Sequence, residues 1–184
     1  NSRINICIVP FRGEYFKLKK EKKFLVKNLI YPVPNPKYPF LGVHFTRSIE
    51  GDIEAGPNAV LAFAREGYSL SSFSIPDMWS YLSFPGFWRM AIKYYSIAFN
   101  EYYRSFYKRA FVEQLKKLIP EIKSEDLLVA PAGVRAQALS LDGKLLDDFI
   151  IDRDENIINV LNAPSPAATS ALAIGKKILT LYEQ

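Results

Sequence analysis

Sulfur and imidazole are scarce in this 184-residue chain, which holds one cysteine, Cys7, two methionines and one histidine, His44. A lone thiol excludes an internal disulfide framework and any multi-cysteine metal site, so no metal centre is expected. It fits a reducing compartment, and a cytoplasmic location is the expectation. No apolar run approaches the roughly 18 residues of a membrane-spanning helix, and no basic, then apolar, leader opens the chain. Acidic residues are outnumbered, 19 against 24 lysines and arginines, for a net charge of +5. Nucleic acid is not the expected partner of that excess. Lys17, Lys19, Lys20, Lys22 and Lys23 crowd it into one solvated hairpin tip, and no RNA-binding or zinc-finger signature accompanies the many aromatics. There is no internal repeat and no low-complexity tract.

What remains is globular material, 49% hydrophobic and 23% charged, enough for a real core in one domain or two small ones. The chain begins at Asn1 rather than Met, almost at once in an expected strand, as a piece of a longer protein would. The first sixty residues read as β structure, with β-branched and aromatic runs at 4–10, 13–19, 24–31, 41–47 and 53–57 separated by turn formers. From Ile75 the period changes. Pro85-Gly86 introduces a segment free of Gly and Pro from Phe87 to Ile119, which predicts two helices or one bent helix. Its aromatic and basic residues suit either core packing with snorkelling cations or contact with a membrane surface. Strand character returns at 127–129, 134–141, 145–151 and 157–161, with Asp142-Gly143 as a hairpin turn.

After the last of these strands stands Asn162-Ala163-Pro164-Ser165-Pro166-Ala167-Ala168-Thr169. Ser165 is a suitable N-cap and Pro166 a suitable first helical residue, while the alanines leave room for close approach. A helix running to about Tyr182 is expected, with Ala168, Leu172, Ile174, Ile178 and Leu181 on a buried face. Free N–H groups and the positive dipole end at its start favour an electron-rich ligand. A well-capped helix after a strand is also common without one.

Several phrases in order, IVPFRGEYF, LIYPVPNPKYPFLGVHFTR, GPNAVLAFAREGY, PAGVRAQAL, DGKLLDDF and NAPSPAATSALAIG, closely resemble the C-terminal half of the L-2-hydroxyglutarate dehydrogenase/oxidase family. These are FAD enzymes of the D-amino-acid oxidase-like superfamily. The resemblance spans nearly the whole chain and is weakest from about Phe73 to Phe111. It implies an α+β fold: a mixed, largely antiparallel sheet of a substrate domain with a long helical insertion, then the last strands and C-terminal helix of an incomplete FAD domain. The implied division is 1–128 for substrate binding and 129–184 for the FAD-domain portion. The Gly-rich nucleotide-binding unit of the family has no counterpart, since no G-x-G-x-x-G occurs.

The resemblance further implies a flavoprotein oxidising L-2-hydroxyglutarate, a 2-hydroxy dicarboxylate, to 2-oxoglutarate by hydride transfer to flavin, and a fragment that is inactive by itself. Gly133, Val134 and the 162–169 turn would lie against FAD, with helix N–H groups stabilising charge at the pyrimidine edge of the ring. Arg135 falls where the related amino-acid oxidases hold the substrate carboxylate, and its bidentate guanidinium suits that task. A structural ion pair with Asp147 or Asp148 is the competing role. Arg12 and Arg47 are candidates for a second carboxylate, Tyr15 and Tyr31 for hydroxyl donors, and Asn58 for a site-facing amide or a turn former. His44 is the one imidazole available as general base, although strand histidines are often structural. Alternatives keep the fold but act on glycerol 3-phosphate, another 2-hydroxy acid or an amino acid, or make the chain a non-catalytic membrane or protein interaction module. Peripheral contact with an inner membrane or a respiratory electron acceptor is the further partner expectation. Oligomeric state is left open.

Overall fold

In the computed structural model, residues 5–33, 41–154, 157–164 and 167–182 are described. Two four-stranded sheets carry the fold, and every pairing within them is antiparallel. The first is built on β1 (Ile6–Gly13), paired on one edge with β5 (Val60–Leu61) and along its full length with β7 (Gly133–Ser140), which also pairs β8 (Leu145–Leu146). The second has the order β3 (His44–Arg47), β4 (Ile53–Gly56), β2 (Phe16–Leu18), β6 (Leu127–Val129). Strands from both sides of residue 128, the expected domain boundary, thus share the first sheet.

Three short crossings join the sheets: Glu14–Tyr15 between β1 and β2, Pro57–Ala59 between β4 and β5, and Ala130–Ala132 between β6 and β7. They lie together. Gly13 is the register partner of Gly133, the Ala130 amide donates to the Tyr15 carbonyl at 3.0 Å, and a Cβ on Gly13 would stand 2.8 Å from Pro57 Cβ.

Helices complete both layers. The N-cap Ser74 accepts from the Asp77 amide and Pro76 sits in the first turn of α1 (Ile75–Leu82), the standard signals for a helix start. α2 (Pro85–Phe106) bends at Tyr94, whose φ/ψ of −113°/17° leaves the helical region, and α3 (Lys108–Leu115) follows. The expected helical stretch is therefore two helices, the first bent. Sheet one packs Val9, Phe11 and Leu139 against Tyr81, Phe87 and Met90. Sheet two packs Phe45, Ile53 and Ala55 against Phe111, Val112 and Leu115.

The lysine-rich segment folds differently from the expected hairpin tip, as a 3-10 helix over Lys20–Leu25. Lys17 and Lys23 reach Asp52, and Lys22 reaches Asp126, which turns the run back on its neighbours. Nor do residues 24–31 form the expected strand: only Ile30 bridges to Phe45. Asp142-Gly143 does form the turn between β7 and β8, with Gly143 at φ 82°, where a Cβ is disfavoured.

The C-terminal portion is set apart. β9 (Ile150–Asp154) and β10 (Ile157–Asn162) make a separate two-stranded ribbon, then a 3-10 helix at Ala167–Ser170 leads into α4 (Ala171–Tyr182). The α-helix starts later than expected because its first turn is 3-10. Its expected buried face is not buried, for no described residue of α4 is buried and Leu172 is 89% exposed. Among the described residues, no helix is long and apolar enough to cross a membrane.

Candidate functional site

β3 ends the second sheet with His44 at its start, in register with Gly56 on β4. The His44 Nδ1 lies 3.0 Å from the Gly42 carbonyl oxygen. A carbonyl only accepts, so in the neutral ring Nδ1 carries the hydrogen and Nε2 keeps its lone pair. The Tyr31 ring stacks on the imidazole at 4.3 Å and 22°. Tyr15 approaches from the first crossing: its Cδ1 is 3.2 Å from where a Cβ on Gly56 would stand, and the Glu14 carbonyl oxygen is 2.7 Å away. With φ at 142°, Gly56 is the residue this approach requires.

Arg135 comes from the other sheet, directly across β1 from Phe11. It is close enough to His44 for its charge to act on the ring. The imidazole pKa is lowered first by burial and then by Arg135, against the opposing hydrogen bond to Gly42. Among the described residues no carboxylate forms an ion pair with Arg135, Asp147 and Asp148 included. Two residues earlier, a Cβ on Gly133 would meet nothing within 4 Å. One partly exposed cation, one neutral base and open space beside the backbone thus share the junction of the sheets.

The remaining sequence-predicted residues are placed otherwise. Arg12 is buried, its Nη2 2.9 Å from the Glu14 carboxylate. Asn58 is buried too, donating to Glu14 Oε2 at 2.7 Å while its Oδ1 accepts from the Glu14 amide at 2.9 Å. Arg47, at the far end of β3 and on its opposite face, donates to the Val26 carbonyl at 3.4 Å. Asn162 is buried and donates to the carbonyls of Asp148 and Leu146, which fixes the end of β10. Val134 pairs with Arg12 across the strands. Ala163, Ala168 and Thr169 are exposed, Pro164 and Ala167 half-buried. Ser165 and Pro166, the expected cap and first helical residue, lie outside the described residues.

Glu14, for which the sequence suggests no role of its own, holds this junction. Its carboxylate accepts from Arg12, Asn58 and Ser105 on α2. The available signal is the Arg-Gly-Glu spacing, which returns an acid to the neighbourhood of an inward-facing arginine.

A cleft of about 980 Å³ runs along α2 past Phe11, Gly42, Val43, Tyr94 and Phe99. It borders the His44 segment, yet His44, Tyr31 and Arg135 do not line it. Chemistry rather than cavity size therefore selects the junction.

Comparison with known proteins agrees on one family. The profile described as FAD dependent oxidoreductase, DAO, matches residues 1–181. An L-2-hydroxyglutarate dehydrogenase of Indibacter alkaliphilus is 59% identical over 172 residues, covering 94% of this chain and 43% of that protein. Mitochondrial proteins of the same name from Nematostella vectensis and Homo sapiens are 51% and 49% identical, covering 93% and 96% of this chain and 39% of each of theirs. The chain thus spans well under half the length of these relatives.

Proposed function

Because the chain belongs to the FAD dependent oxidoreductase family, we propose that it is the substrate-facing part of a flavoenzyme oxidising L-2-hydroxyglutarate to 2-oxoglutarate. What supports the reading is Arg135, two residues from the open backbone at Gly133, on the sheet next to the one that carries His44. Arg135 binds the carboxylate next to the reacting carbon, with two parallel hydrogen bonds fixing its plane. His44, neutral at physiological pH, takes the proton of the 2-hydroxyl on Nε2, while Gly42 holds the ring's other nitrogen. Tyr31 orients the imidazole by stacking, and Tyr15 stands against Gly56, the register partner of His44.

The residues present fit FAD. Gly133 offers open space, and Ala163 and Ala168 expose small side chains ahead of α4. Gly133, Val134 and the turn containing Asn162, Ala163 and Ala168 would hold the isoalloxazine edge, with FAD supplying the two-electron acceptor. The nucleotide-binding remainder belongs to chain beyond these 184 residues, which alone are inactive. In that assembly the exposed apolar side of α4 packs against the rest of the FAD domain.

The test is Arg135→Lys in the full-length flavoprotein. Lysine keeps the charge but not the fork, so KM for L-2-hydroxyglutarate is expected to rise about 10- to 100-fold, the equivalent of one charge-assisted hydrogen bond. An unchanged KM removes Arg135 from the site. The pH profile gives a second check: His44 must be unprotonated, and its lowered pKa keeps it so below the usual 6.5. kcat/KM is therefore expected to stay flat through neutrality and to fall only in acid, and His44→Gln to lower it at all pH values.

A second reading concerns location. Trp88, Ile92, Tyr95, Phe99, Tyr103 and Phe106 are all exposed along α2, near Arg89 and Lys93. Their spacing lays an apolar stripe along one side of the helix, the composition of an interfacial membrane contact. Flotation of the full-length protein with anionic vesicles, lost on Trp88→Glu with Phe99→Glu, is the expected result. A protein that stays at the bottom of the gradient removes the membrane reading.

A further inference from the structure

Arg135 and His44 stand on different sheets, so their spacing depends on how the sheets are joined rather than on either sheet's hydrogen-bond ladder. At the junction, Glu14 lies in the first crossing and Asn58 in the second, and they bond reciprocally: the Glu14 amide to Asn58 Oδ1 at 2.9 Å, and Asn58 Nδ2 to Glu14 Oε2 at 2.7 Å. The other carboxylate oxygen receives Arg12 at 2.9 Å and Ser105 at 2.8 Å, so β1 and α2 are tied to the same point. The third crossing joins through the backbone, Ala130 to Tyr15. Arg12 and Asn58 are nearly solvent-free, at 2% and 3% exposure, and buried polar groups made and satisfied together specify one geometry.

We propose that the Glu14–Asn58 pair is a clasp across the sheet junction, and that these two positioning residues set the spacing of Arg135 and His44. The link to the site is direct. Asn58 is two residues from Gly56, the register partner of His44, and Glu14 is one residue from Tyr15 and stands beside Gly13, the register partner of Gly133. Loosening the clasp shifts one sheet against the other without touching either binding group. Misplacement on the scale of an ångström costs on the order of a hundredfold in kcat/KM when two groups must meet one substrate.

The inference rests on the proposed reading of Arg135 and His44, and the test separates the two. In the full-length flavoprotein, Asn58→Asp sets a second carboxylate against Glu14 without changing shape. The double variant Glu14→Gln with Asn58→Asp restores every hydrogen bond with the amide and the acid exchanged. Asn58→Asp is expected to raise KM for L-2-hydroxyglutarate roughly tenfold or more at normal FAD content. It should also speed amide hydrogen exchange at Glu14, Tyr15, Asn58, Ala59, Ala130 and Ala132. The double variant is expected to recover both.

Exchange that speeds up and recovers in an enzyme without activity on L-2-hydroxyglutarate supports the clasp and removes the substrate reading. Unchanged KM and exchange in Asn58→Asp overturn the clasp. So does a double variant no better than the single, because a merely structural loss has no reason to be repaired by reversing the pair.

Discussion

The two-sheet body and the C-terminal arm of β9, β10 and α4 draw on the same kinds of side chain and treat them oppositely. In the body, Phe45, Ile53, Leu115 and Leu139 are wholly buried between sheets and helices. In the arm, Ile157, Val160, Leu172, Leu179 and Tyr182 all stand open, and Asn162 is its one buried residue among those described. Apolar patterning alone does not close a core. It needs a second surface within reach, and the body has two layers where the arm has one.

The contrast can be broken at four positions. Phe45→Ala, in the middle of the second sheet's core, is expected to cost about 3–5 kcal/mol by chemical denaturation, the price of a large cavity. Asn162→Ala, the arm's exception, removes the donor from the Leu146 and Asp148 carbonyls and is expected to cost about 1–3 kcal/mol, read as faster exchange across β9 and β10. Tyr81→Phe runs the other way. The Tyr81 hydroxyl is buried without a hydrogen-bond partner among the described residues, and its pKa is pushed up to about 12, chiefly by burial. Its removal should leave stability unchanged or raise it by about 1 kcal/mol. Leu172→Ala, on the open side of α4, should change the stability of the 184-residue chain by no more than about 0.5 kcal/mol. A large loss there would show the arm to be closed after all, whereas a loss confined to the full-length protein would sharpen the contrast.

Much of the body was legible because its signals are local. The change of period at Ile75, the Asp142-Gly143 turn and the strand content around β1, β3, β4 and β7 follow from side-chain spacing, backbone freedom and β-branched runs. Less legible was the lysine segment, where the choice between hairpin and 3-10 helix was made by Asp52 and Asp126, both distant in sequence. The buried face expected for α4 misled for a similar reason: periodicity says which side wants burial, not whether anything is there to cover it.

Of the candidate site, the sequence offered His44, Arg135, Tyr15 and Tyr31 as separate possibilities; the fold stacks Tyr31 on His44, sets Tyr15 against Gly56 beside it, and keeps Arg135 on the neighbouring sheet. It offered Arg12 and Asn58 on equal terms, and the fold buries both against Glu14. Side-chain type carries chemical capacity, so the residues alone supplied guanidinium groups suited to a carboxylate, one imidazole suited to moving a proton and small residues ahead of a helix. Which of them face one another was decided by three sheet crossings, since proximity between strands far apart in the chain depends on packing and register rather than on the identity of any one residue.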